Sequence, residues 1–130
     1  MCSSDLKELA NGEFDIVLEA IVKFRIDREV SEPHAYRVAE VTPLPEPVPP
    51  GDVATLAAAR TRLESLVGQS DGRLGVRAVP AGIPDRDLIN GLAQLITLDP
   101  LDRLRLLNED GVLARARALI GYFEAAIAAP

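Results

Sequence analysis

Over residues 14–26 the even positions read Phe14, Ile16, Leu18, Ala20, Val22, Phe24 and Ile26, while the odd positions are mostly polar or charged. A period of two over that length predicts one long β-strand with a single buried face. Val17 and Ile21 break the alternation, which marks a bend near Ala20 or a second covering surface. After a turn over residues 31–35 that contains Pro33, the β-branched and aromatic content of residues 36–41 predicts an antiparallel partner strand. Two strands alone are marginal in water, so this hairpin requires more sheet or a helical cover.

The period then changes. Prolines at 43, 45, 47, 49 and 50 exclude a helix over residues 42–51 and favour a stiff extended spacer. Beyond it, Asp52 is positioned to cap a helix over residues 53–67 whose stripe is Val53, Leu56, Leu63, Leu66 and Val67, with Gly68 as its stop. A loop over residues 69–84, punctuated by Asp71-Gly72, Gly75, Pro80, Gly82 and Pro84, has room for a small hairpin around residues 74–79. Asp85 is expected to cap a second helix with Leu88, Ile89, Leu92, Leu95 and Ile96 as its stripe, and Asp99-Pro100 then breaks the chain and restarts it. Leu101, Leu104 and Leu107 continue an apolar stripe on a third short helix, so the two are expected to share a core at an angle. The fourth helix starts near Asp110 or Gly111 and runs to about Ala128 on Val112, Leu113, Ala116, Leu119, Ile120, Phe123 and Ile127. Strands followed by helices, rather than alternating with them, give an α+β class.

Composition narrows the function classes. The 130 residues are 48% hydrophobic and 26% charged, which fits a folded, soluble chain, and no apolar run approaches the ~20 residues of a membrane span. A net charge of −6 supplies no basic footprint for nucleic acid, and the arginines at 103, 105, 115 and 117 read as a solvated helix face. Cys2 is the only cysteine, so neither a disulfide framework nor a zinc cluster is expected, in keeping with a cytoplasmic protein. Residues 1–6 lack the pattern of a signal peptide. Read back into codons they resemble the end of a sequencing adapter, so a cloning or assembly scar is expected there, with the natural chain cut before Lys7. The genomic sequence upstream of Lys7 tests this.

The residues that could carry catalysis are few. No Gly-x-x-x-x-Gly-Lys loop is present to cradle phosphates. His34, the only histidine, falls beside Pro33 in the expected turn, where exposure suits it better than general-base work. Ser65 and Lys23 are the raw material of a dyad, but they fall on a helix and a strand with no motif joining them. Asp99 and Asp102 are explained by capping and the helix dipole. Glu19 and Glu40 are expected to face each other or to pair with Lys23 and Arg37 across the sheet. Phe24, Tyr36 and Phe123 are expected in the core. No catalytic, cofactor or metal residue is assigned.

Two blocks carry a family resemblance. The first is Asn11-Gly-Glu-Phe-Asp-Ile-Val-Leu-Glu-Ala-Ile-Val-Lys-Phe-Arg-Ile26 with Tyr36-Arg-Val-Ala-Glu-Val-Thr-Pro-Leu-Pro-Glu46; the second is the Leu98–Glu109 helix, break and helix, followed by a final helix. Their order and spacing resemble the LON substrate-binding domain, found at the N-terminus of ATP-dependent Lon proteases and as a stand-alone protein. Ala20 stands where the family usually has glycine, and Lys23 replaces the usual arginine, with loss of planar bidentate pairing. The family's opening strands, with their Pro-Leu-Phe-Pro-Leu and His-Ile-Phe-Glu-x-Arg-Tyr motifs, are not found in this sequence.

The resemblance implies the end of a partial PUA-like β-barrel, present as a long hairpin, followed by a four-helix bundle. Residues 7–47 would form the β part and residues 48–130 the helical part. It implies a non-catalytic module without cofactors that binds unfolded or damaged polypeptides in protein quality control, not nucleic acid or membrane. The alternative is a structural or regulatory interaction module with no client role. If upstream strands are missing, the hairpin carries an unpaired edge that invites self-association.

Overall fold

In a computed structural model the protein is α+β, with two small antiparallel sheets and four helices; the structure describes residues 2–31 and 35–130. The chain divides into two compact units, Met1–Pro45 and Glu46–Pro130. No closed barrel forms among the described residues, in which each sheet has two strands.

The β unit differs from the single long strand that the alternation predicts. Strand β2, Phe14–Ala20, pairs with β1, Cys2–Glu8, whereas β3, Phe24–Val30, pairs with β4, Val38–Pro43. The break after Ala20 falls where Ile21 interrupts the period, and the two halves of the run serve different partners. β1 was not among the expected elements. A tight turn joins it to β2: the Leu9 N–H donates to the Glu13 carbonyl at 2.8 Å, and Asn11 Oδ1 accepts from the Glu13 N–H at 3.1 Å. Gly12, at φ +80°, takes the left-handed position there. The β3/β4 hairpin does form. Its ladder is extended by the Leu44 N–H donating to the Lys23 carbonyl, so the first residues of the expected spacer belong to a strand.

The expected buried strand face is also corrected. Phe14, Ile16, Leu18, Phe24 and Ile26 are all exposed, from 42% at Phe24 to 66% at Leu18. Tyr36 is exposed as well, which leaves Phe123 as the one core residue of the three aromatics proposed.

The helical unit contains the hydrophobic core. Helix α1 is Val53–Gln69, α2 Asp85–Leu95, α3 Pro100–Asn108 and α4 Val112–Ala128. Leu63 of α1, Ile89 of α2, and Leu119 and Phe123 of α4 meet fully buried at its centre. Ile96, between α2 and α3, is equally buried and turns the chain there.

Helix ends follow local chemistry, with three revisions. Asp99 caps α3 as expected: its Oδ1 accepts from the Asp102 N–H at 2.8 Å, and Pro100 takes the first helical position. Asp52 does not cap, because residues 50–52 already turn as a 3-10 segment and hold it in helical backbone. Asp85 is inside α2, behind Pro84, and its carboxylate pairs with Arg60 at 2.9 Å instead. Gly68 lies within α1, and the turn comes later, at Asp71 (φ +48°) and Gly72 (φ +77°).

The loop before α2 contains no hairpin. It is tied down by single contacts, with the Thr97 N–H donating to the Leu74 carbonyl at 2.9 Å and Arg73 donating to the carbonyls of Ala126 and Ala129. Gly75, at φ +81°, lies so close to this junction that an added Cβ would come within 2.8 Å of Thr97 Oγ1.

On α3 the inward face is the reverse of the expected one. Leu106 is buried, while Leu101, Leu104 and Leu107 are more than half exposed; Leu95 at the end of α2 and Val53 at the start of α1 are exposed too. A spacing of three defines a ridge, but which ridge of α3 turns inward is decided by its packing against α4.

Candidate functional site

The β3/β4 ribbon is built with two unlike faces. Phe24 lies opposite Pro43, Ile26 opposite Val41, and Glu29 opposite Ala39, which places on one face an apolar row that ends at Glu29. Arg25 opposite Thr42, Arg28 opposite Glu40 and Val30 opposite Val38 lie on the other. Strict alternation from Ile26 would bring Arg28 onto the apolar face. A bulge at Asp27 adds one residue and shifts the phase, so that Arg28 falls on the polar side.

The polar groups are then paired with each other. Arg28 grips Glu40 with two hydrogen bonds, and Arg37 does the same to Glu29 at 2.6 and 3.1 Å. Asp27 accepts from Thr42 Oγ1 and from Arg25 Nε at 2.9 Å. Hydrogen bonds from Thr42, then from Arg25, hold the Asp27 carboxyl below its ordinary value, and Arg37 does the same for Glu29. With its charges neutralised in pairs, the ribbon leaves Phe24, Ile26 and Val41 uncovered, at 42%, 64% and 43% exposure. On strand β2, Phe14, Ile16 and Leu18 share one face, and Asp15, exposed Val17 and Glu19 share the other. The open apolar face of the β3/β4 ribbon and the strand edges left unpaired among the described residues can receive an extended polypeptide by main-chain pairing and side-chain burial.

The carboxylates proposed to interact across the sheet are not brought together. Glu40 pairs with Arg28 in one sheet, Glu19 lies opposite Ser3 in the other, and Arg37 takes Glu29. Ser65 accepts from Gln69 Nε2 on its own helix. His34 lies outside the described residues. Among the described residues, no three His, Cys, Asp or Glu side chains converge as metal ligands, and no helix is long and apolar enough to cross a membrane.

Arg115 is the polar residue that the sequence misplaced. Its side chain is only 7% exposed, and it reaches Glu46 at 2.7 and 3.0 Å, Asn90 Oδ1 at 2.7 Å and the Leu106 carbonyl at 3.2 Å. A second hub lies at Arg60, which pairs with Glu64 and Asp85 and also donates to the Ile83 carbonyl. Asp85, then Glu64, raises the Arg60 pKa. Tyr122 is raised by burial first and by its hydrogen bond to Asp102 second. These groups join helices to loops, and all have partners within the unit.

Comparison with known families matches residues 4–124 to the ATP-dependent protease La (LON) substrate-binding domain. No curated protein matches the chain.

Proposed function

The chain belongs to the LON substrate-binding domain family, and on that premise we propose that it is a non-catalytic module that takes up extended apolar segments of unfolded or damaged polypeptides. The observation that carries this reading is the β3/β4 ribbon, whose charges are paired with one another while Phe24, Ile26 and Val41 stay open on one face. An extended client segment would bury these side chains and satisfy a free strand edge at once. The two ribbons are parts of a PUA-like barrel in this reading, and the module serves cytoplasmic protein quality control without a cofactor. The test is binding to one labelled protein in its reduced, unfolded form and in its disulfide-intact folded form. Preference for the unfolded form is expected.

The exposed leucines on α3 favour a second reading, an interaction module that engages a folded partner through Leu101 and Leu104. Equal affinity for the two forms of the test protein would support that reading and count against client recognition.

A further inference from the structure

Residues 46–50, at the entrance of the helical unit, have their backbone shape set by proline at every position. Rings fix φ at Pro47, Pro49 and Pro50, while Glu46, Val48 and Pro49 each precede a proline, which keeps them out of the helical region. Pro49 shows the result, with φ −58° and ψ 145°, the dihedral angles of a polyproline II helix. That helix repeats every three residues, so Pro47 and Pro50 share one edge and Val48 lies on another. The chain leaves this form at Pro50–Asp52, where the Asp52 N–H donates to the Pro49 carbonyl at 2.9 Å.

The side chains sort by face. Val48 packs at the edge of the core, and Glu46, only 13% exposed, is held by Arg115 at 2.7 and 3.0 Å. Pro47, Pro49 and Pro50 are exposed. The inward side chains thus fasten the segment to the helical unit, and the rings remain on its outside. No charged residue stands between Glu46 and Asp52, and the prolines have no N–H to donate, so this surface suits neither an ionic partner nor a strand edge. Its complement is a groove lined by aromatic side chains, which takes up prolines spaced three apart. A segment already fixed in shape and place loses little conformational freedom on docking.

We propose that residues 46–50 form a docking ridge for a folded partner domain with an aromatic-lined, polyproline-reading groove, which Pro47 and Pro50 enter while Glu46 and Val48 keep the ridge on the helical unit. The ridge is independent of the client-binding reading, since it lies outside the β unit and its partner is folded.

The test is titration of the ¹⁵N-labelled whole chain with unlabelled SH3, WW and EVH1 domains, followed at the amides of Glu46, Val48 and Gly51. At least one of these domains is expected to shift those three amides saturably, and Pro47→Ala combined with Pro50→Ala is expected to weaken that binding by about tenfold or more. Pro80→Ala, which removes an exposed proline outside the ridge, should bind as the parent does. If the double variant does not fold, Pro47→Ala alone decides by the same criterion. Absence of saturable shifts with all three domains would overturn the proposal, as would binding that centres on Leu101 and Leu104 of α3 or that survives loss of the ridge prolines. Neither result touches the binding of unfolded protein, which is measured separately on the ribbon.

Discussion

Arg103, Arg105, Arg115 and Arg117 look alike in the sequence, each set among leucines and alanines on a helix, yet Arg115 alone of the four is buried. Its partners lie at positions 46, 90 and 106, so no local pattern could have revealed it; a buried guanidinium is legible only once the chain has brought those positions together. Arg115→Met would remove the buried pair with Glu46 together with the bonds to Asn90 and the Leu106 carbonyl, and is expected to destabilise the helical unit by about 3–5 kcal/mol in urea unfolding. The paired carboxylates of the ribbon predict a pH dependence. Asp27 and Glu29 are held below ordinary values of 3.8 and 4.5, so the stability they contribute is complete above those values and is lost as pH falls below them. Carboxyl NMR titration checks this. Thr42→Val, which removes the largest cause at Asp27, should move its pKa back up toward the ordinary value and leave Glu29 unchanged.

At the scale of elements, whatever depended on neighbouring residues was readable, and whatever depended on phase was not. The Asp99-Pro100 restart was legible because a cap and a helix-compatible proline act within one turn. Asp99→Ala should cost about 1 kcal/mol, measured by thermal unfolding, with the loss localised to α3 by amide exchange. The face that α3 turns inward was hidden, since Leu101, Leu104 and Leu107 offer as good a stripe as the one around Leu106, and only contact with α4 decides between them. The same limit applies to the β run. Its period of two identified extended chain, but did not reveal that residues 14–20 and 24–30 pair with different strands, or that a bulge at Asp27 resets the phase. The latter could have been suspected from Ile-Asp-Arg-Glu, where three consecutive charged residues cannot all avoid the apolar face by alternation.

For the whole molecule, the contrast lies between a helical unit that buries its apolar side chains and a β unit that presents them. The apolar face of the β3/β4 ribbon and the strand edges unpaired among the described residues carry the proposed polypeptide binding, and they also predict self-association at raised concentration. Light scattering over a dilution series is expected to show an average mass that rises with concentration; a monomer throughout would contradict that expectation. The family signature was legible because its two blocks are local and correctly ordered, whereas the exposure of the ribbon faces could not be read from alternation, which reports amphipathicity and not what covers it.

The most direct measurement combines Ile26→Ser with Val41→Ser, an opposed pair on the uncovered face that leaves every charged residue of the ribbon in place. Fluorescence anisotropy with a labelled, reduced unfolded protein should then show affinity reduced by about tenfold or more, equivalent to ~1.4 kcal/mol. Leu101→Ser with Leu104→Ser on α3 is the matched control and should bind as the parent does. Unchanged affinity in the ribbon variant, with loss in the α3 variant, would contradict the account and move the binding face to the helical unit.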